Sequence, residues 1–159
     1  MEEQIMNMPA VALRGLTILP GMIAHFDISR ERSLRAVEEA MEQDQKIYLV
    51  TQRNVDSEDP TQEDLYQMGI VADIKQVVRL QNDVVRILVD GISRAALLGF
   101  TGNEKYLEAE ICYCDSNADS LPEDLREAML LGVREAFHRY AAVVGKISKE
   151  LIRQIDQYE

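Results

Sequence analysis

The sequence predicts an α+β fold: a mostly antiparallel sheet or small barrel carrying one packed helix, followed by a separate run of helices. Three observations lead there. Before Asp115, short apolar runs rich in β-branched and aromatic residues alternate with turn signals, the pattern of strands in a sheet. One window in that half, Ser29 to Gln45, breaks the pattern with a helical period. After Asp115 the apolar residues recur at helical spacing only.

Taken in order, VALRGLTIL (11–19) and MIAHFDI (22–28) read as strands divided by the Pro20-Gly21 break. In SRERSLRAVEEAMEQDQ (29–45), Leu34, Val37 and Met41 define the face expected to pack on the sheet, and Ser29 or Ser33 can cap the start. KIYLVTQ (46–52), GIVADIKQVVRL (69–80), VVRILVDG (84–91), SRAALL (93–98) and YLEAEICYC (106–114) follow as further strands. Gln81 to Asp83 lies between two of them as the loop of an antiparallel hairpin. DSNADS (115–120) reads as a linker, which sets the expected division at 1–115 and 116–159. Ser120 with Glu123 has the spacing of a capping box. Leu125, Met129, Val133, Phe137, Tyr140 and Val144 form a long stripe that Gly145 can close. A last helix starts near Ser148 with Leu151, Ile152 and Ile155 on one face. An amphipathic helix without a partner layer is poorly buried, so the chain is expected to continue in nature.

With 47% apolar residues, 159 residues suffice for a compact core. A formal net charge of −11 opposes binding to a nucleic-acid backbone or an anionic membrane, because the long-range field repels both. The apolar stretches are too short and too interrupted to span a bilayer, and the acidic start resembles no targeting peptide, so a cytoplasmic protein is expected. Cys112 and Cys114 are spaced to share one strand face, but neither His25 nor His138 stands at ligand spacing from them. They read as reduced structural thiols.

SEDPTQEDLYQMG (57–69) concentrates carboxylates and invites a metal or acid–base reading. An EF-hand loop begun at Asp56 places Pro60 at a ligand position, Thr61 where glycine is needed and Gln67 where a bidentate glutamate belongs. Local chemistry explains the segment better: Asp59 as N-cap, Pro60 as first helical residue and Gln62 closing a capping box. GKIS (145–148) lacks the upstream glycine of a P-loop, no G-x-S-x-G is present, and Ser148 and Lys149 are merely adjacent. No catalytic, metal or cofactor-binding residue is therefore assigned.

The succession LRGLTILPGM, SLRAVEEA, KIYLVTQ, DP…DLYQMGIVADIKQ and VRILVDGISRA resembles the amino-terminal domain of bacterial ATP-dependent Lon proteases from about Pro9 to about Asp115, and more loosely through the helices. The resemblance implies a β-rich, PUA-like pseudo-barrel with one packed helix, followed by the start of an α-helical bundle. It implies substrate recognition and hexamer assembly, with unfolded or damaged proteins as partners; that no nucleic acid or membrane is bound is expected from the charge. The family's AAA+ module, with its ATP and Mg, and its Ser-Lys peptidase module are absent from this chain, so neither activity is expected of it. Gly15 stands where the family commonly has aspartate after the arginine.

Capture of unfolded chains needs an adaptable apolar surface, and methionine suits one. Leu19, Met22, Ile23 and Phe26, around the Pro20-Gly21 break, together with Tyr66 and Met68, are the candidate contacts. Two other classes remain open at this point. One is a stand-alone LON-domain protein with its own ligand, which a native stop codon after Glu159 would favour. The other is a PUA-like RNA-binding module, which the net charge opposes.

Overall fold

The computed structural model describes residues 5–114 and 121–158, and the chain divides into two compact units, Met1–Asp115 and Ser116–Glu159. The first unit contains β1 (Ile5–Leu13), β2 (Ile23–Ile28), α1 (Glu31–Glu42), β3 (Lys46–Thr51), a 3₁₀ turn (Gln62–Asp64), β4 (Met68–Arg79), β5 (Val85–Phe100) and β6 (Glu108–Tyr113). The strands are ordered β2-β5-β4-β3-β1-β6, and β6 also pairs with β5, so five strands close into a barrel from which β2 extends.

Closure depends on the length of β5. Its first residues pair with β2, its last with β6, and β4 runs beside it almost throughout. Register shifts at Val71/Ala72, Ile74/Gln76 and Leu97/Gly99 supply the local bends that let a sheet curl shut. Among the described residues all strand pairings are antiparallel but one: β1 runs parallel to β3, across the connection made by β2 and α1. Such a pair needs a long crossover, and the helix supplies it.

β1 and β3 are buried on both faces, which is why they read as continuous apolar runs. Val11, Leu13, Ile47 and Leu49 face one core with α1, β2 and Ile74. Met8, Ala10, Ala12, Tyr48 and Val50 face a second, with Leu65, Leu97 and Ile111.

α1 packs on a different face from the one its large apolar residues suggest. Ser33, Ala36, Val37 and Ala40 are buried, Leu34 is only partly so, and Met41 is exposed. Small side chains let the helix lie close to β1 and β3, so close approach rather than bulk sets its rotation. Its N-cap is Arg30, and neither Ser29 nor Ser33 caps it.

The acidic segment is a capped turn, displaced by two residues from the sequence reading. Thr61, not Asp59, is the N-cap, and Asp64 rather than Gln62 closes the box, accepting from Thr61 N at 2.9 Å and Thr61 Oγ1 at 3.0 Å. A carboxylate at that position takes both donors, which an amide oxygen does less strongly. Asp59 instead pairs with Arg32 at 3.2 Å. The hairpin loop lies as expected, with Asn82 and Asp83 at φ of 59° and 57° and Leu80 N donating to Val84 O at 2.8 Å.

The second unit is a helix pair, α2 (Glu123–Val144) and α3 (Lys149–Gln157). Gly145 ends α2 at φ 66°, donating to Ala141 O at 3.0 Å, and Ser148 caps α3 by accepting from Leu151 N at 3.2 Å. α2 begins with Pro122 at its N-cap position and no side-chain cap; the expected Ser120 cap lies outside the described residues. His138 Nε2 lies 2.7 Å from Asp156 Oδ1 within this pair, and Arg134 reaches Tyr158 O.

Candidate protein-binding groove

The turn after the first long apolar run projects a leucine because two glycines permit it. Met22 N donates to Leu19 O at 3.1 Å, and Gly21, at φ 75°, adopts the left-handed conformation the turn requires. The turn is bonded to β5 on both sides: Gly21 N donates to Gly91 O at 2.7 Å, and Gly91 N to Met22 O at 2.9 Å. A Cβ on Gly91 would lie 2.4 Å from Leu19 O, so only glycine admits this approach. At the start of β4, a Cβ on Gly69 would meet the Tyr48 ring at 2.5 Å and Leu49 O at 2.6 Å. Glycine there lets Tyr48 cross under β4 and donate to Ala95 O at 3.1 Å, and burial pushes the Tyr48 hydroxyl's pKa well above its usual value.

Between these two glycine contacts lies a groove of about 480 Å³. Leu13, Ile18, Leu19, Leu49, Tyr66 and Met68 give its apolar lining; Thr17, Thr51, Arg53, Gln67 and Arg94 give the polar one. The threonines satisfy each other: their hydroxyls are 3.2 Å apart, and Thr51 Oγ1 donates to Leu16 O at 2.8 Å. Arg53 donates from Nε to Leu65 O at 2.9 Å, and its guanidinium lies 5.0 Å from the centre of the Tyr66 ring, a cation–π contact that fixes the ring at the groove's edge. Cys114 Sγ lies 3.6 Å from Met68 Sδ.

Of the six candidate residues, Leu19, Tyr66 and Met68 meet in this groove, at 58%, 49% and 48% exposure. Met22 and Ile23 are exposed on the same turn and the start of β2, at 37% and 67%, but do not line it. Phe26 departs from the group: it packs on the core beside α1 and borders a different cavity. In β2, Ala24, Phe26 and Ile28 point inward while Ile23, His25 and Asp27 point out. Alternation held the signal, since residues three apart on a strand face opposite sides. Arg53 and Arg94 escape the sequence reading because barrel closure, not sequence proximity, brings them to the groove, and Thr17 and Gln67, beside the candidates, escape it because an apolar pattern does not mark polar residues.

Among the described residues no group of three or more His, Cys, Asp or Glu side chains is placed to hold a metal ion, and no helix is long and apolar enough to cross a membrane. Cys112 and Cys114 are half-buried thiols, outside any disulfide. The architecture is a closed barrel with an exposed apolar groove edged by two arginines.

The family model of the ATP-dependent protease La (LON) substrate-binding domain matches residues 7–159. The chain belongs to this family. It is 38% identical over 156 residues to the Lon protease of Lachnoclostridium phytofermentans, covering 98% of this chain and 19% of that one. To Lon protease 1 of Bacillus subtilis it is 31% identical over 158 residues, covering 99% and 20%. The chain thus spans about a fifth of the length of these relatives. Its fold matches the N-terminal domain of Mycobacterium avium complex Lon protease with a TM-score of 0.73 at 16% identity, covering 96% of this chain and 76% of that one. It also matches a Lon N-terminal domain protein from Xanthomonas campestris with a TM-score of 0.58, covering 82% and 72%.

Proposed function

We propose that this chain is the substrate-recognition and assembly domain of an ATP-dependent Lon protease, and that it holds unfolded or damaged proteins through the groove formed by Leu19, Tyr66 and Met68, flanked by Met22 and Ile23. The observation that carries this reading is an exposed apolar lining held in place by backbone contacts at Gly91 and Gly69. Burying one such side chain contributes about 1.5–3 kcal/mol at most, and association itself costs several, so one groove holds one apolar anchor weakly. Weak, non-directional binding suits clients that share no sequence. Several copies in a hexamer would raise the effective concentration and convert weak contacts into capture.

In this reading the domain performs no catalysis and needs no cofactor. ATP and Mg are handled by an AAA+ module and peptide cleavage by a Ser-Lys module, both outside this chain. The whole protein works in the cytoplasm. The −11 charge keeps the domain from binding nucleic acid or membranes.

The test is fluorescence anisotropy with a labelled, permanently unfolded protein and its folded counterpart, using the parent chain, Met68→Asp and Leu19→Asp. Preferential binding of the unfolded form, weakened about tenfold by either folded variant, is expected, since a buried carboxylate opposes an apolar anchor. Equal binding by parent and variants, with circular dichroism unchanged, would remove the groove from the reading.

A further inference from the structure

A second cavity, of about 190 Å³, lies between the end of β1, β2 and the start of α1, and shares only Leu13 with the lining of the groove. Its chemistry is different. Arg14 and Arg30 both line the cavity, and each donates from Nη2 to one carbonyl beyond the lining, Ser57 O, at 3.2 and 3.3 Å. Two guanidinium groups that close repel each other unless an anion separates them. Arg30 is half-buried, and its other partner, Gln52 Oε1 at 2.7 Å, is neutral. Among the described residues neither arginine is ion-paired with a carboxylate.

The nearby acids are engaged elsewhere or act only through space. Asp27, on the cavity's edge, is held by Arg86 through two bonds of 2.6 and 2.8 Å. Asp59 is paired with Arg32, and it and Glu58 reach Arg30 only as distant charges. Burial lowers the pKa of the Arg30 guanidinium, and the neighbouring Arg14 lowers it further.

Two more groups face the same space. α1 has twelve residues and no side-chain cap at its N-cap Arg30, and with Arg30 and Ser33 in the lining the helix start brings the positive end of its dipole to the cavity. Ser33, in that first turn, is 5% exposed as a residue and lines the cavity. Its hydroxyl can donate to a ligand oxygen placed there.

We propose that this cavity binds a phosphate group, held by the Arg14 and Arg30 guanidinium groups, the first-turn amides of α1 and the Ser33 hydroxyl. Planar guanidinium groups match phosphate oxygens two at a time, and a helix start supplies further N–H donors. The volume leaves room for some of the atoms that carry the phosphate, against the apolar side chains of Leu16 and Phe26. The phosphate is either free in solution or borne by a phosphoserine of a client chain.

The experiment uses residues 1–159 at constant ionic strength, with sodium chloride replaced stepwise by sodium phosphate, read by thermal unfolding and by amide NMR shifts of Glu31 and Ser33. Phosphate is expected to raise Tm in a saturable way that chloride does not reproduce, and Arg14→Gln and Ser33→Ala to weaken the apparent affinity about tenfold each. Arg14 is exposed, and its one hydrogen bond is to Ser57 O, so Arg14→Gln tests the site without threatening the fold. A phosphoserine peptide and its serine counterpart distinguish the sources. Tighter binding of the phosphopeptide than of inorganic phosphate assigns the site to a modified client, and the reverse assigns it to the free ion. Equal stabilisation by chloride and phosphate, or an unchanged affinity in both variants, would overturn the proposal.

Discussion

The barrel and the helix pair use apolar residues in opposite ways. In the barrel, β1 and β3 bury side chains on both faces, and Ala10, Ile47, Tyr48, Ile87, Ala109 and Ile111 are fully enclosed. Among the described residues of the helix pair only Ala141 is buried, while Leu125, Met129, Leu131, Val133, Tyr140 and Val143 are all exposed. Closure explains the difference. A barrel surrounds its own interior, whereas two helices can cover one stripe each and leave the others in water. The barrel therefore carries the fold's stability, and α2 and α3 rely on local devices: the Gly145 stop, the Ser148 cap and the His138–Asp156 contact.

The largest expected effect would break the barrel's side of this contrast. Gly91→Ala forces a methyl group against Leu19 O, a backbone atom that cannot rotate away, so the turn must detach from β5. We expect a loss of about 2–3 kcal/mol, a fall in Tm of roughly 5–10 °C, and an opened groove. Urea and thermal unfolding would check it, and an unchanged midpoint would mean that the turn is not rigidly held. The contrast itself is sharpened by native-state hydrogen exchange. Amides of α2 and α3 are expected to exchange on the order of a hundredfold faster than those at the centres of β3 and β5, because so little apolar surface holds the helices. Equal protection would show that the helix pair shares the barrel's cooperativity.

Legibility in the sequence follows the range of the interaction that sets each feature. Gly145 and Ser148 were readable because a helix end is decided by the residues beside it. The strands around Gln81–Asp83 were readable for the same reason. The rotation of α1 was not, because Ser33, Ala36 and Ala40 contribute by being small, and hydrophobic periodicity weighs bulk. The capping box slipped by two residues because both Asp59/Gln62 and Thr61/Asp64 satisfy the spacing, and only the folded turn selects one. In the groove, Leu19, Tyr66 and Met68 are legible as large apolar residues beside breaks, while Arg94 arrives from β5 and Arg53 from the bend after β3, both distant in sequence from Leu19. Phe26 stands apart from the groove on the inward face of β2, which the alternation along that strand makes readable.

A middle-sized effect tests how the barrel tolerates a polar group at its centre. Tyr48 is fully buried, and its hydroxyl donates to Ala95 O at 3.1 Å. Tyr48→Phe keeps the ring beside Gly69 and removes only the bond, so a loss of about 1 kcal/mol is expected by urea unfolding. Tyr48→Leu also opens a cavity and should cost more, in proportion to the space left. Similar losses for the two would show that the ring's fit matters little.

The smallest effect lies at the barrel's margin, on β2, where charge rather than packing is at work. Asp27 and Arg86 face each other across β2 and β5 through two bonds of 2.6 and 2.8 Å, and the hydrogen bonds from Arg86 hold the Asp27 carboxyl below its usual pKa. The sign follows from linkage. A carboxyl whose pKa is depressed on folding contributes stability above its unfolded value, about 3.9, and that contribution disappears as pH falls through the folded value. Both groups are solvent-accessible, so salt screens the pair and the contribution is small. Asp27→Asn should therefore lower the urea midpoint slightly at pH 7 and not at all once the pH is well below 3.9, so that parent and variant converge in acid. If the gap instead persisted unchanged through the acid range, Asp27 would be holding β2 by its shape and not by its charge.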